Sequence, residues 1–224
     1  RIKTGQSIGI DFGVSRLATL SNGETMPNPR HLGRKTELLA RAQRQLSRKT
    51  KGSNRRAAQA RRVARLHEKI ADARHDALHK LSTTLVTRFD TIYVEDLHFR
   101  GMVQNHNLAR SLSDASIGIA IRMIEAKAEA AGVSVMKIDR WFPSSKQCAT
   151  CGYVLDALPL DTRRWICPQC HENHDRDVNA AKNILAVGQT VTARGGGVRA
   201  VRTSVRKAGR RRSVNQPKTS VRIS

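Results

Sequence analysis

Four cysteines stand in two pairs, Cys148-Ala149-Thr150-Cys151 and Cys167-Pro168-Gln169-Cys170, with fifteen residues between the pairs. Each C-x-x-C turn can bring two sulfurs to one ion. Two turns at this separation supply the four thiolates of a tetrahedral zinc ribbon, with Zn–S distances of about 2.3 Å. The pattern consumes every cysteine of the chain, and four protein ligands leave no open position for water, so the expected zinc is structural. The competing readings are four unrelated buried cysteines or a redox pair. Gly152 and Pro168 sit where knuckle turns need special backbone. His171 and His174 crowd the second pair; they offer a Cys₃His set as a minor alternative, and otherwise read as surface or nucleic-acid-facing groups.

A second constellation is a trio of acids. Asp11 ends the apolar run SIGID, Glu95 ends TIYVE, and Asp177 opens DVNAAKNIL. Two strand ends and a helix start can converge at one edge of a mixed sheet. Converging carboxylates repel unless cations sit between them, and three suit two Mg²⁺ ions about 3.5–4 Å apart. One metal would activate a water and the other would stabilise the leaving 3′ oxygen of a phosphodiester. Taken singly, each acid also fits a solvated strand end or a helix cap, and capping is a particular rival for Asp177. Asp96, Asp139 and Asp175 occupy neighbouring positions.

The elements that would position these groups follow from the hydrophobic period. Residues 7–11 and 16–20 read as short strands, and Asn22-Gly23 between apolar runs suits a type I′ hairpin turn. The period then becomes helical over 36–47 and 54–89. In the longer stretch Val63, Leu66, Ile70, Ala73, Ala77, Leu81 and Leu85 form one stripe, and Asn54 is the expected N-cap. Residues 91–95 and 133–138 read as strands, 113–131 as a helix capped by Gly132, and 177–185 as a last helix. Strands and helices alternating around a cysteine-rich interruption predict a mixed α/β domain with a small metal module ahead of its last helix.

Charge narrows the partners. The 224-residue chain carries 41 Lys+Arg against 18 Asp+Glu, a net charge of +23. Between Arg30 and Arg65 thirteen basic residues accompany one acid, Glu37; after Asp177 there is no acid, and ten basic residues follow from Arg194 on. Any one run fits a solvated helix face, but two runs with almost no interleaved acid favour a polyanion, and nucleic acid over an anionic membrane surface. Arg41, Arg44, Arg48, Arg55, Arg56, Arg61 and Arg62, on the outer faces of the helical pair, and Lys146 beside the first knuckle are the candidate phosphate contacts. No apolar run approaches the roughly 18 residues of a spanning helix. With four cysteines and no charged-then-apolar leader, the expectation is a reducing cytoplasm.

Four stretches make a resemblance specific: GIDFGV at 9–14, VEDLHFRGM at 94–102, PSSKQCATCG at 143–152 and CPQCHENHDRDVNAAKNIL at 167–185. In this order they resemble the TnpB/OrfB proteins of small bacterial insertion sequences, relatives of the type V CRISPR effector nucleases, over roughly residues 5–188. The resemblance implies an RNase H-like, RuvC-type nuclease fold interrupted by a zinc ribbon, with the three catalytic carboxylates falling on Asp11, Glu95 and Asp177. It divides the chain into 1–142 (first nuclease part, with the basic hairpin 34–89), 143–174 (ribbon), 175–190 (last nuclease motif) and a basic, disordered tail, 191–224. It implies Mg²⁺-dependent, RNA-guided DNA cleavage for a transposable element, with DNA and a guide RNA as partners. Family members carry a helical and β-barrel region ahead of the first carboxylate, whereas ten residues precede Asp11 here; guide holding and flanking-motif reading are expected to need that region. The alternative is a zinc-stabilised accessory protein of the element that binds DNA or RNA without cutting it.

Overall fold

The computed structural model describes residues 3–28, 31–97, 116–193 and 199–200. Six strands form one sheet in the order β3-β2-β1-β4-β5-β8: β1 is Ser7–Phe12, β2 Arg16–Leu20, β3 Thr25–Pro27, β4 Thr91–Glu95, β5 Ser134–Ile138 and β8 Arg199–Ala200. The central β1, β4 and β5 are parallel, and β2, β3 and β8 add antiparallel edges. Four helices accompany them among the described residues: α1 His31–Ser47, α2 Asn54–Arg88, α3 Ile117–Ala131 and α4 Arg176–Ala193. A separate hairpin of β6, Arg164–Ile166, and β7, Asn173–Asp175, belongs to the cysteine-rich insert.

Strand alternation sorts the two faces of the sheet. Ile8, Ile10 and Phe12 of β1, with Ile92 and Val94 of β4, face a core completed by Leu78, Leu81 and Leu85 of α2 and by Ile117, Ala120, Ile121 and Ile124 of α3. The opposite face carries Tyr93 and Ile138, which pack with Ile184 of α4. The core is almost wholly aliphatic, as the 4% aromatic content requires. Helix α3 ends where expected: Gly132 adopts φ 68°, a left-handed cap that takes its N–H to the carbonyls of Ala128 and Glu129.

Several local expectations are corrected. The β2–β3 turn is not type I′, because Gly23 has positive φ (90°) and Asn22 does not. Gly23 N–H donates to Leu20 O and Leu20 N–H to Glu24 O, the three-residue loop with a glycine bulge. Asn22 bonds Glu24 through its side chain, accepting from its N–H and donating to its carboxylate. The cap of α2 is Ser53, whose Oγ accepts from Arg56 N–H; Asn54 is already helical. Helix α4 starts one residue before Asp177 and runs to Ala193, past the 185 at which the apolar pattern fades. The expected tail thus begins within α4 and includes β8. Its remainder, 194–198 and 201–224, lies outside the described residues, as do 98–115, which hold the end of the VEDLHFRGM stretch and the start of the expected 113–131 helix.

One glycine fixes how α4 lies on the sheet. A Cβ at Gly9 would overlap the carbonyl oxygen of Ala181 and the backbone of Leu185, so helix and strand meet with no side chain between them. Replacing Gly9 with alanine should therefore cost about 3 kcal/mol in urea unfolding, since backbone cannot yield as a side chain can. Gly132→Ala, in open space at positive φ, should cost only about 1 kcal/mol. Equal losses would mean that α4 can slide on β1.

Candidate metal and nucleic-acid site

The register that pairs Ile10 with Val94 brings Asp11 and Glu95 to the adjacent C-terminal ends of two parallel strands. Asp11 lies two residues beyond Gly9, on the face that α4 covers. Asp177 lies four residues before Ala181, one turn toward the helix start, and so sits above the same strand end. Gly9 opposes Tyr93, which supports Gly188 of α4, so the two strands present Asp11 and Glu95 on one side. Between them and the insert opens a cleft of about 310 Å³, lined by Asp11, Glu95, Phe142, Lys146, Leu158 and Arg176 among others.

Burial and neighbouring charge perturb two of these acids. Burial, then the charges of Asp177 and Glu95, push the Asp11 carboxyl up to about 8, against the opposing pull of Arg176. Burial alone raises Glu95 to about 7. A strand end that desolvates two carboxyls beside a third holds its charge readily only with a cation. The capping role that competed for Asp177 belongs to Asp175, whose Oδ1 accepts from the N–H groups of Asp177 (3.1 Å) and Val178 (3.2 Å). Asp175 is itself held by Arg16, whose Nη1 lies 3.1 Å and 3.2 Å from its two oxygens. The Asp177 carboxylate is left free of that duty, flanked by Arg16 at 3.8 Å and Arg163 at 3.7 Å.

The four cysteine sulfurs lie within 4.8 Å of one another and could hold one metal ion. The two knuckles repeat each other's backbone: Gly152 N–H donates to Cys148 O, and His171 N–H to Cys167 O, both at 2.9 Å. Gly152 (φ 81°) and His171 (φ 59°) take the left-handed position after each pair, so His171 fills the special place expected of Pro168. Burial opposes charge on Cys167, yet N–H donors from Cys170 and Gln169 bring its thiol down to about 7. Cys170 accepts the N–H of Glu172, but burial and the thiols of Cys151, Cys148 and Cys167 push it up to about 12. Four adjacent thiols cannot all ionise without a cation.

His174 is not a surface group. It is 6% exposed, places Nε2 3.0 Å from Cys148 Sγ, and stacks on Trp165 with ring centroids 4.7 Å apart. Two further residues escaped the sequence reading. Asn179 accepts from Ala149 N–H and donates to Gln147 O (2.7 Å), and Asn183 donates to the same carbonyl (2.6 Å) and to Ser144 O. Both are buried and tie the first knuckle to α4. Their signal was present: amides at i and i+4 on the helix face that also carries apolar residues.

Of the candidate phosphate contacts, Arg41 and Arg44 on α1, Arg48 in the turn that follows it, and Arg55, Arg61 and Arg62 on α2 are exposed. Arg41 lies 3.5 Å from Glu37. Arg56 differs, since its Nη1 donates to Leu46 O (2.9 Å) and Lys49 O (3.3 Å), closing the end of α1. Lys146 lines the cleft while its Nζ donates to Asp156 O at 2.9 Å.

Comparison with known proteins agrees with this layout. Residues 1–106 match the OrfB_IS605 family, described as "Probable transposase", and residues 118–184 match the Cas12f1-like TNB domain. A Streptomyces pristinaespiralis protein named "Putative RNA-guided DNA endonuclease" is 49% identical over 95% of this chain and 52% of its own length. The Escherichia coli K12 protein named "Putative RNA-guided DNA endonuclease InsQ" is 34% identical over 84% of this chain and 50% of its own. The chain thus spans about half the length of these curated relatives. Among solved structures, a CRISPR-Cas12f ternary complex gives a TM-score of 0.60 at 20% identity over 83% of this chain and 40% of that one. A Cas12f1–sgRNA–target DNA complex gives 0.56 at 18% over 80% and 49%. Both domain matches stand in order along the chain, which therefore joins an OrfB_IS605 region to a Cas12f1-like TNB region.

Proposed function

We propose that this chain is the nuclease part of a transposon-encoded RNA-guided DNA endonuclease, and that its sheet is an RNase H-like, RuvC-type domain. The observation that carries the reading is Asp11 beside Glu95 on parallel strand ends, with Asp177 brought over them by α4. The donor set fits hard divalent cations: oxygen ligands only, mutually repelling, at the floor of an open cleft. Asp11, Glu95 and Asp177 would hold Mg²⁺, which when bound supplies Lewis acidity and an activated water for phosphodiester hydrolysis.

The chain's own groups do the rest. Arg176, in the cleft wall and close enough to lower Asp11, offers a donor to a phosphate oxygen while offsetting the acids' repulsion. Lys146 stands at the same wall. The Asp175–Arg16 pair fixes the start of α4, so that Asp177 does not drift from the strand ends. The four thiolates suit zinc, which would close the ribbon as a structural ion. DNA is the substrate and RNA the guide in this reading; the relatives' names and the basic outer faces of α1 and α2 support both.

Asp11→Ala should lower Mg²⁺-dependent DNA cleavage by at least about a hundredfold, because a lost metal ligand removes several kcal/mol of transition-state stabilisation. The comparison is made on purified protein, with co-purified RNA kept and removed. Unchanged cleavage would sink the assignment; salt-sensitive binding without cleavage by either protein would favour the accessory reading.

The raised carboxyls set a pH dependence. Asp11 and Glu95 keep their protons up to about 8 and about 7 in the folded chain, whereas the unfolded chain releases them near 3.8 and 4.5. The folded state therefore binds more protons across that window, and metal-free stability falls as pH rises through it. The melting temperature without Mg²⁺ should drop between pH 5 and pH 8.5, and Asp11→Asn should flatten the slope. Because the metal must displace those protons, the half-saturating Mg²⁺ concentration should fall over the same range.

Chelating zinc, then restoring Mg²⁺ in excess, should reduce cleavage, since Asn179 and Asn183 join the ribbon to the helix that carries Asp177. Full activity from zinc-stripped protein would show that the two metal sites are independent.

A further inference from the structure

An indole stands in solvent beside the carboxylate cleft. Trp141 is 84% exposed, while the chain's other tryptophan, Trp165, is 8% exposed inside the ribbon. A lone exposed apolar residue means little by itself, but this one sits on a hydrogen-bonded turn. The Trp141 backbone N–H donates to Asp139 Oδ1 (2.9 Å), Phe142 N–H donates to Asp139 O (3.2 Å), and Ser144 N–H donates to Phe142 O (2.8 Å). The turn sends Phe142 inward against Tyr93, Ile138 and Ile184 and leaves Trp141 facing out.

The turn is also anchored to the acids. It leaves β5 directly after Ile138, which pairs with Glu95 and whose carbonyl accepts Asp96 N–H at 3.0 Å. Arg140 reaches back to Asp96 at 3.4 Å. The residues just beyond Trp141 (Phe142, Pro143 and Lys146) line the cleft that holds Asp11, Glu95 and Arg176. An exposed aromatic side chain on a hydrogen-bonded turn thus borders a groove with cations on its wall and candidate metal ligands on its floor.

We propose that Trp141 is a stacking platform for an unpaired nucleobase of a single-stranded DNA whose backbone enters this cleft. The proposal rests on the nuclease reading and adds to it a residue that positions the strand. Cationic grooves combined with exposed aromatics hold single strands, because a free base offers its π-face whatever its identity, while bases in a duplex are already stacked. Arg176 and Lys146 would take the backbone, and the indole would fix the neighbouring base so that the phosphodiester rests over the acids.

The test uses the full chain with Ca²⁺ replacing Mg²⁺ to hold back cleavage, a labelled oligo(dT), an oligo(U) of equal length, and a duplex. Saturating oligo(dT) should quench tryptophan emission in the parent but not in Trp141→Phe, which keeps Trp165 as its remaining fluorophore. By anisotropy, Trp141→Phe should bind within about threefold of the parent. Trp141→Ala should lose roughly five- to hundredfold at equal salt, the range that one stacked base commands. Circular dichroism and the unfolding midpoint should be unchanged, as nothing packs over the indole. Unchanged emission at saturation, parent-like binding by Trp141→Ala, or equal quenching by the duplex would overturn the platform. A stronger response to oligo(U) than to oligo(dT) would assign it to an RNA strand and overturn the DNA assignment. Cleavage by Asp11→Ala, assayed separately in Mg²⁺, judges the nuclease reading whichever way the stacking test falls.

Discussion

Helix α4 touches strand β1 backbone to backbone at Gly9, and the placement of Asp177 over the strand ends that carry Asp11 and Glu95 depends on that contact. A side chain there would lift the helix by about the width of a methyl group, and Asp177 would leave the strand end that carries Asp11. The second close approach, Gly188 against the Tyr93 ring, prevents the helix from pivoting about the first. Two points define a line, and the line carries Asp177 to the open edge of the sheet. The Ile184 side chain, fully buried, packs with Tyr93 and Ile138 and holds the same helix to the sheet.

The same helix joins two clusters, one of carboxyls and one of thiols, that could each hold a cation. At its start burial and the neighbouring acids raise the proton affinity of Asp11, and on its flank Asn179 and Asn183 receive the first knuckle of the thiol cluster. Buried amides are costly unless paired, and here they are paired to backbone carbonyls and an N–H of the knuckle itself. The knuckle's shape is therefore read directly by the helix. His174 extends the linkage from the other side, touching Cys148 through Nε2 one residue before Asp175, the cap of α4. The ribbon is thus a brace for the last acid, which explains its position in the chain immediately ahead of that acid.

The parts of this arrangement visible in the sequence are those set by period and spacing. The short apolar runs SIGID and TIYVE mark β1 and β4 and put Asp11 and Glu95 at their ends; the C-x-x-C spacing marks the thiol cluster. What was hidden depends on pairing across long separations. Asp175 and Asp177 look interchangeable along the chain, and the difference between them arises only because Arg16, 159 residues away, grips the first. Asn22 and Asn54 followed local preference, but the first was overruled by the glycine bulge and the second by Ser53, whose hydroxyl reaches the third amide of the helix. His174 read as a surface residue because nothing in the local sequence shows that Trp165, on the paired strand, covers it.

The basic hairpin obeys different physics from the rest. Helix α2 is 35 residues long, about 52 Å at the α-helical rise, yet its buried apolar residues begin only at Ile70. Before that point a single side chain is buried, Gln59, and it spends its amide on Ala42 O and on Gln45 of α1. Arg56 closes the loop between the helices in the same polar way. An arm joined by satisfied polar contacts and a few small apolar ones (Leu39 and Ala42) gains little from burial, and its exposed arginines repel one another. Such a segment contributes little to the stability of the sheet that carries the acids. It holds its charges outward at a cost that a polyanion would relieve, on an element that can yield without disturbing Asp11, Glu95 and Asp177.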